Sequence, residues 1–473
     1  MKSSNVMAAL VTLSLAATAA TPAMALENEF HGMFGARYDN SNFNGAQTTD
    51  FGPGDGTYDP SGKTRNLYSA NFVEQRARLQ YIAKANADLK LVTQFELDYT
   101  YWGNSSYTVG RNQGGAIGAD TVNIETKNIY LDANPFKDVN MKLGMMPNND
   151  AFKGVLFDAD MAGILLSSSY GKFTPSIGYF RFNDTGAGVD KVLGHKTNDM
   201  FMLDEKVEIS KDLKVGGAYY FFRDGQVTGS TTTASVGATG VLADGTKVYP
   251  SNTTFETINT ANDVKIHALG LNAEYAQGPL TLNGFALYQT GWNNKVYTNA
   301  FAGNVGAKLK TGPGTARAEF LYVTGGKKNT FYSVYNEYSV GESGYYDNEM
   351  VILGRDKNAF FTTDNSIIYT AGNAGKGQIS GYIGYDLPVN DRLTTAFNAG
   401  FAAVAKDTST TQHKSNYLGT EINGEVTYKL LENLTTSVRI AYVILGDYFK
   451  GVALNGETPV NPYDASLIVK YVF

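Results

Sequence analysis

From about residue 28 the chain alternates polar and apolar side chains with a period of two, the signature of strands with two differently solvated faces. Gln75, Ala77, Leu79 and Tyr81 share one face, and Glu74, Arg76, Arg78 and Gln80 share the other. Leu89 to Trp102 and Leu418 to Leu430 repeat the pattern. The segments run roughly 10–15 residues, where strands of globular proteins usually have ~5–6. Tilted strands crossing the hydrocarbon of a membrane need about 9–11. Eighteen segments are expected, at 28–40, 71–84, 89–102, 119–133, 139–147, 161–171, 174–184, 197–210, 212–224, 263–277, 279–292, 300–311, 314–326, 375–387, 391–406, 416–430, 433–446 and 462–473. Every even-to-odd link is short, as in Asn86-Ala87-Asp88, Lys211, Gln277-Gly278 and Leu431-Glu432. The odd-to-even links include the long stretches 41–70, 225–262 and 327–374. A soluble sandwich has no reason to keep this alternation, whereas a membrane barrel with short turns on one side and long loops on the other requires it.

The expected fold is therefore all-β: a transmembrane, antiparallel, up-and-down barrel of about eighteen strands. Sixteen is the alternative, because Ser167-Ser168-Ser169 interrupts 161–171, and in 174–184 Ile177 and Tyr179 share a face with Arg181. Closure leaves no sheet edge and pairs every backbone polar group, which allows the chain to cross lipid. Trp102 and Trp292 fall at the loop ends of upward strands, where an aromatic girdle belongs.

Residues 1–25 read as a secretory signal peptide. Lys2 precedes an apolar core from Val6 to Ala20, and Ala23-Met24-Ala25 offers the cleavage site. Residues 26–473 then form a single barrel with no plug domain ahead of it. The absence of Cys excludes disulfides, thiolate metal sites and c-type haem attachment within this chain. The formal net charge is −6, and no basic stretch suggests nucleic acid. The four His residues are scattered, with His31 and His267 on strands and His195 and His413 in loops. No catalytic motif joins them, and the lone His267 reads as a pore-lining polar group. Neither an enzyme nor a cofactor is expected.

The chain ends in Leu467-Ile468-Val469-Lys470-Tyr471-Val472-Phe473, with Leu467, Val469, Tyr471 and Phe473 on one face. A terminal strand closing on an aromatic resembles that of Gram-negative outer-membrane barrels, a resemblance that implies an assembly signal at Tyr471 and Phe473. The segment from Glu74 to Leu79, the stretch from Gln94 to Gly103, Asn123 to Tyr130 and Lys142 to Pro147 resemble the alginate-export-type and related porins. Across residues 70–185 that resemblance implies an eighteen-stranded passive channel in the outer membrane; the even strand count puts both termini on the periplasmic side, as the signal-peptide route requires. The partners it implies are outer-membrane lipid and lipopolysaccharide, the barrel-assembly machinery, small hydrophilic solutes and, in a trimer, further copies of the chain.

The polar face carries both signs. Arg76, Arg78, Lys127, Lys206, Arg317 and Arg439 are expected to line a pore together with Glu96, Asp98, Glu125, Glu319 and Glu421. Opposed charges would keep the lumen wet, whereas rings of one sign would select one ion class. A polyuronate exporter should be strongly cationic, and this lumen is not. The same charges can equally be cross-strand pairs that satisfy one another. Residues 148–160, the third outer loop, are the candidate constriction: Phe152, Leu156 and Phe157 would pin it while Asp150, Lys153, Asp158 and Asp160 face solute. Asp158 and Asp160, like Asp50, Asp55 and Asp59, are hard oxygen ligands without a calcium-loop pattern. The loop 327–374, rich in Tyr and Phe, is expected to pack on itself as a lid, or else to stack on a sugar or a protein. Function is thus expected to be passive diffusion of ions and small hydrophilic solutes. A channel specific for a sugar or acidic solute, or a scaffold or adhesin working through its loops, are the alternatives.

Overall fold

The structure, a computed structural model, describes residues 26–43, 70–103, 115–117, 124–186, 191–234, 240–244, 247–248, 255–334, 344–357, 366–408, 413–452 and 458–473. The signal segment 1–25 and most of the first loop, with Asp50, Asp55 and Asp59, lie outside the described residues, as does the side chain of Asp98.

Eighteen antiparallel strands form one sheet: β1 Glu27–Ser41, β2 Ala70–Asn86, β3 Leu89–Tyr101, β4 Ile124–Phe136, β5 Val139–Asn149, β6 Asp158–Ser168, β7 Phe173–Asp184, β8 Thr197–Glu208, β9 Leu213–Asp224, β10 Val264–Gln277, β11 Leu280–Asn293, β12 Val296–Thr311, β13 Gly314–Val323, β14 Gln378–Pro388, β15 Leu393–Ala403, β16 Tyr417–Leu431, β17 Leu434–Leu445 and β18 Tyr463–Val472. Each strand pairs with its neighbours in sequence, and β1 also pairs with β18, from Met33↔Val472 to Ser41↔Asp464, so the sheet closes. Both weakly marked segments are strands, giving eighteen rather than sixteen.

The alternation along each strand is the reason for the architecture. One face carries large apolar side chains left uncovered: Leu271 is 68 % exposed and Ile383 65 %. So much exposed aliphatic surface is unfavourable in water and natural against lipid. Trp102 and Trp292 are exposed on the loop side, and Trp292 packs edge-on against Tyr297 at 5.3 Å. The other face is the barrel interior. Among the described residues no helix is long and apolar enough to cross a membrane.

Several boundaries differ from the sequence pattern. β12 starts at Val296 rather than at 300, and β6 spans Asp158–Ser168 rather than 161–171. The stretch 225–262 is partly a two-stranded ribbon, Val227–Ala234 against Phe255–Ala261, that continues the β9–β10 hairpin past the rim. Its Thr-rich strand has no apolar face, so a two-residue hydrophobic period cannot reveal it.

Candidate solute pathway inside the barrel

The wall opens locally at β5 and β6. Pairing of β4 with β5 ends at Ile129↔Met145 and pairing of β6 with β7 ends at Ala162↔Arg181, yet β5 and β6 stay paired up to Asn149↔Asp158. The end of this hairpin therefore leaves the wall and folds into the lumen. Its tip carries Phe152, Val155, Leu156 and Phe157, all fully buried. They pack on inward side chains of the facing wall: Phe152 lies 5.6 Å from Phe285, and Phe157 lies 5.3 Å from Tyr220. Burial of each large apolar side chain contributes about 1.5–3 kcal/mol, which holds the tip across the barrel.

Asp150 organises the tip. Its carboxylate accepts backbone N–H groups from Phe152 (2.6 Å), Gly154 (3.1 Å), Leu156 (2.6 Å) and Phe157 (2.9 Å). Burial pushes its carboxyl up to about 6, against the pull of those four donors in the other direction. It faces no solute, contrary to expectation: a loop this short that turns inside a barrel must satisfy its own N–H groups, and Asp150 does so. Lys153 points from the tip to Glu319 on β13, 2.5 Å away. Asp158 and Asp160 are strand residues at the root of the hairpin. Asp160 meets Lys127 at 2.6 Å and Asn128 at 3.1 Å on β4, bridging the gap in the wall.

The segment between β13 and β14 is the second filling. The sequence suggests a lid, but the described parts enter the barrel. Phe331, Tyr332 and Tyr346 join the apolar cluster around the hairpin tip, while Met350 to Leu353, Ile367 and Ile368 pack with Leu418, Val443 and Phe449 in a second cluster. Tyr335, Tyr338, Phe360 and Phe361 lie outside the described residues. The two fillings touch: Tyr345 N–H donates to the Gly154 carbonyl at 2.8 Å and Val334 N–H to that of Leu156 at 3.1 Å. Burial holds the Tyr346 hydroxyl well above its ordinary pKa, and Glu319 beside it adds to the shift. Arg355 stacks on Tyr345, 4.2 Å from the ring centre, and pairs with Asp347, whose carboxyl burial raises.

Glu421, fully buried on β16, accepts the backbone N–H groups of Val351 (2.7 Å), Ile352 (2.9 Å) and Leu353 (2.8 Å), and the Asn423 amide at 2.8 Å. Arg439 on β17 pairs with Asp356 of the same segment and lies 3.9 Å from Asp464. Arg317 meets Glu349 at 2.5 Å and Asp386 at 2.6 Å. Glu319 also accepts from Asn304 (3.0 Å), Tyr382 (3.1 Å) and Tyr346.

On the remaining wall Arg76 and Arg78 both bind Glu96. Glu125 stands opposite Glu96 in the β3–β4 register. Lys206 is exposed, two residues beyond Asp204 toward the short-turn end of β8. Arg37, Asp39, Glu349 and Asp356 are not among the residues the sequence marks for the interior. Arg37 and Asp39 carry the same two-residue signal on β1, and Arg37 binds Glu74. Glu349 and Asp356 come from an irregular segment, and no local pattern marks them. His267 is on the outer face, not the pore: it is exposed, with Nδ1 2.7 Å from the Tyr219 hydroxyl and its ring 4.8 Å from that of Phe221.

No family model matches the chain, and no curated protein sequence matches it either. Solved structures do. A BenF-like porin from Pseudomonas fluorescens Pf-5 superposes with a TM-score of 0.53 at 12% identity, over 94% of this chain and 98% of that one. OpdL of Pseudomonas aeruginosa gives 0.53 at 12%, over 94% and 99%, and OccAB4 of Acinetobacter baumannii 0.51 at 12%, over 96% and 100%. At such identity the likeness concerns the fold: a closed eighteen-stranded barrel of the kind found in Gram-negative outer-membrane porins. The narrower alginate-export-type resemblance is not established by it.

Proposed function

We propose that the protein is an outer-membrane porin that lets small hydrophilic solutes and ions diffuse passively along a narrow path. The observation that carries this reading is the inward-folded β5–β6 hairpin, tied by Lys153 and Glu319 across a lumen whose remaining wall is charged. A barrel used only as a scaffold has no need of a wet, charged interior or of a strut spanning it. Arg76, Arg78, Glu96, Glu125 and Lys127 form the polar side of the path, and Lys153, Arg317, Glu319 and Arg439 border the loop side. The acids and bases largely neutralise one another, which supports weak ion preference.

A second reading, a channel selective for one solute class, is favoured by the two apolar clusters that the hairpin tip and the segment between β13 and β14 build inside the barrel. Tyr471 and Phe473 lie on the lipid-facing side of β18, at the short-turn end, where assembly machinery would meet them. Single-channel recording in planar bilayers tests the proposal. A steady, small conductance with a reversal potential near zero in a salt gradient is expected, and no conductance under any condition would leave the scaffold reading. Solute influx into liposomes separates the two channel readings: graded entry by size supports general diffusion, and entry of one class alone supports selectivity.

A further inference from the structure

The lipid-facing surface is almost free of charge. On the outward positions of the strands that stay in the wall, charged side chains among the described residues occur only on four consecutive strands, β7 to β10. They are Arg181, Asp199, Glu205, Arg223 and Lys265. Four of them form one row in register: Arg181↔Asp199, Asp199↔Arg223 and Arg223↔Lys265. The row crosses the barrel surface at its long-loop end, about 14 Å wide at ~4.8 Å per strand. Asp199 is already engaged by Arg181 (2.8 Å), the Tyr179 hydroxyl (2.8 Å) and the Thr197 hydroxyl (2.6 Å). Arg223 is exposed and makes no ion pair among the described residues. Lys265 has only a solvent-exposed contact with Asp263, and such pairs contribute little.

A second feature lies directly below. A mostly apolar groove of about 510 Å³ opens on these four strands and on the adjoining ends of β5 and β6; Ile177, Leu203, Gly217, Tyr219, Leu269 and Leu271 line it, and Glu205 is its one outward-facing charged residue. Ile177, Leu203, Tyr219 and Leu269 each precede or follow the corresponding row residue by four positions, about 13 Å along the strand. Gly217 leaves the furrow open where its neighbours Val215 and Tyr219 carry side chains. Cationic groups at headgroup height above an acyl-sized furrow match one kind of molecule. Guanidinium groups bind phosphate with paired N–H donors, and basic patches at a membrane surface hold anionic headgroups.

We infer that the outer face of β7–β10 binds one phosphorylated glycolipid of the outer leaflet, its phosphates on Arg181, Arg223 and Lys265 and an acyl chain in the furrow over Gly217. This rests on the outer-membrane reading above. It accounts for Arg181 sharing a face with Ile177 and Tyr179, which otherwise weakens that strand as a membrane-crossing one.

The test uses the full-length barrel in detergent, titrated with purified lipopolysaccharide carrying phosphorylated lipid A. The triple variant Arg181→Ser/Arg223→Ser/Lys265→Ser is expected to bind on the order of a hundredfold more weakly. The wild type should bind the dephosphorylated lipid as weakly as that, and millimolar inorganic phosphate should not displace the intact glycolipid. Gly217→Leu should weaken binding while the phosphate contacts stay in place, and Arg223→Lys should keep most of it. Heat-modifiable gel mobility checks folding of each variant; if the triple variant does not fold, Gly217→Leu and Arg223→Lys decide. Unchanged binding in the folded variants, equal binding of phosphatidylglycerol, or a second barrel occupying this face in native mass spectra would overturn the proposal. Channel recordings in lipid free of lipopolysaccharide keep the two readings apart: conductance without glycolipid binding sinks only this inference, and binding without conductance sinks only the porin.

Discussion

Two carboxylates, Asp150 and Glu421, do at residue scale what secondary structure does elsewhere: they satisfy backbone N–H groups of segments folded into the barrel. Both are legible as polar positions, but their partners are not: the N–H groups that Glu421 accepts lie some seventy residues away, and those that Asp150 accepts belong to an irregular tip without a periodic side-chain pattern. Hydrogen bonds to a charged acceptor contribute about 1.5–3 kcal/mol each, so Glu421→Ala should release the 351–353 segment. The expected result is a larger and noisier single-channel current; an unchanged trace would mean that the apolar cluster alone holds the segment. Asp150 gives a pH dependence. Its carboxyl stands at about 6 in the folded tip, above the ordinary ~3.9. The docked tip therefore binds this proton more tightly than an undocked one does. The resulting preference for docking is complete below about pH 4 and is lost as pH rises through 6. Conductance should accordingly fall as pH is lowered from 7 to 5, and Asp150→Asn should flatten that response. An equally steep profile in the variant would assign the titration to another group.

At the scale of elements, the eighteen strands were readable because each must present one apolar face to lipid, which imposes a two-residue period whatever the loops do. The hairpin β5–β6 departs from that period. Its tip carries Val155, Leu156 and Phe157 in succession, because a segment surrounded by protein on all sides has no solvent face to alternate with. For the same reason β6 starts at Asp158, three residues ahead of the expected 161, and Asp158 and Asp160 are strand residues rather than loop residues. The segment that folds inward falls within 148–160, where a constriction is expected, while two of its acids do not face solute as expected: Asp150 is internal, and Asp160 serves the β4 contact. Replacing 150–157 by a short glycine linker should raise conductance several-fold with the barrel intact by heat-modifiable mobility. Phe157→Ala is the milder form. Truncating a buried Phe costs about 3–5 kcal/mol, enough to populate an undocked tip, and should appear as flicker between two current levels. A single level identical to wild type would exclude the tip from the conducting path.

For the whole molecule, closure depends on one seam. β1 and β18 are far apart in sequence, and the register between them is set by the terminal residues: Phe473 N–H donates to the Gly32 carbonyl at 3.0 Å, and Gly32 N–H to that of Phe473 at 2.8 Å. The Phe473 ring stacks with Tyr471 at 5.3 Å and lies over Gly32, where an added Cβ would come within 2.5 Å of its Cζ and 2.6 Å of the Arg78 carbonyl oxygen. An aromatic lying over a strand glycine pins register and covers bare backbone. The terminal Phe was legible in sequence, but its partner was not, since Gly32 carries no pattern of its own. Phe473→Ala removes a half-exposed ring and should cost about 1–2 kcal/mol. Gly32→Ala should cost more, because the Arg78 carbonyl belongs to the ladder and cannot move aside. The two changes share one contact, so the double variant should be less destabilised than their sum. Unfolding midpoints in urea, read by heat-modifiable mobility, measure this directly. Strict additivity would show that the ring does not rest on Gly32, and the seam would then be held by its backbone pairing alone.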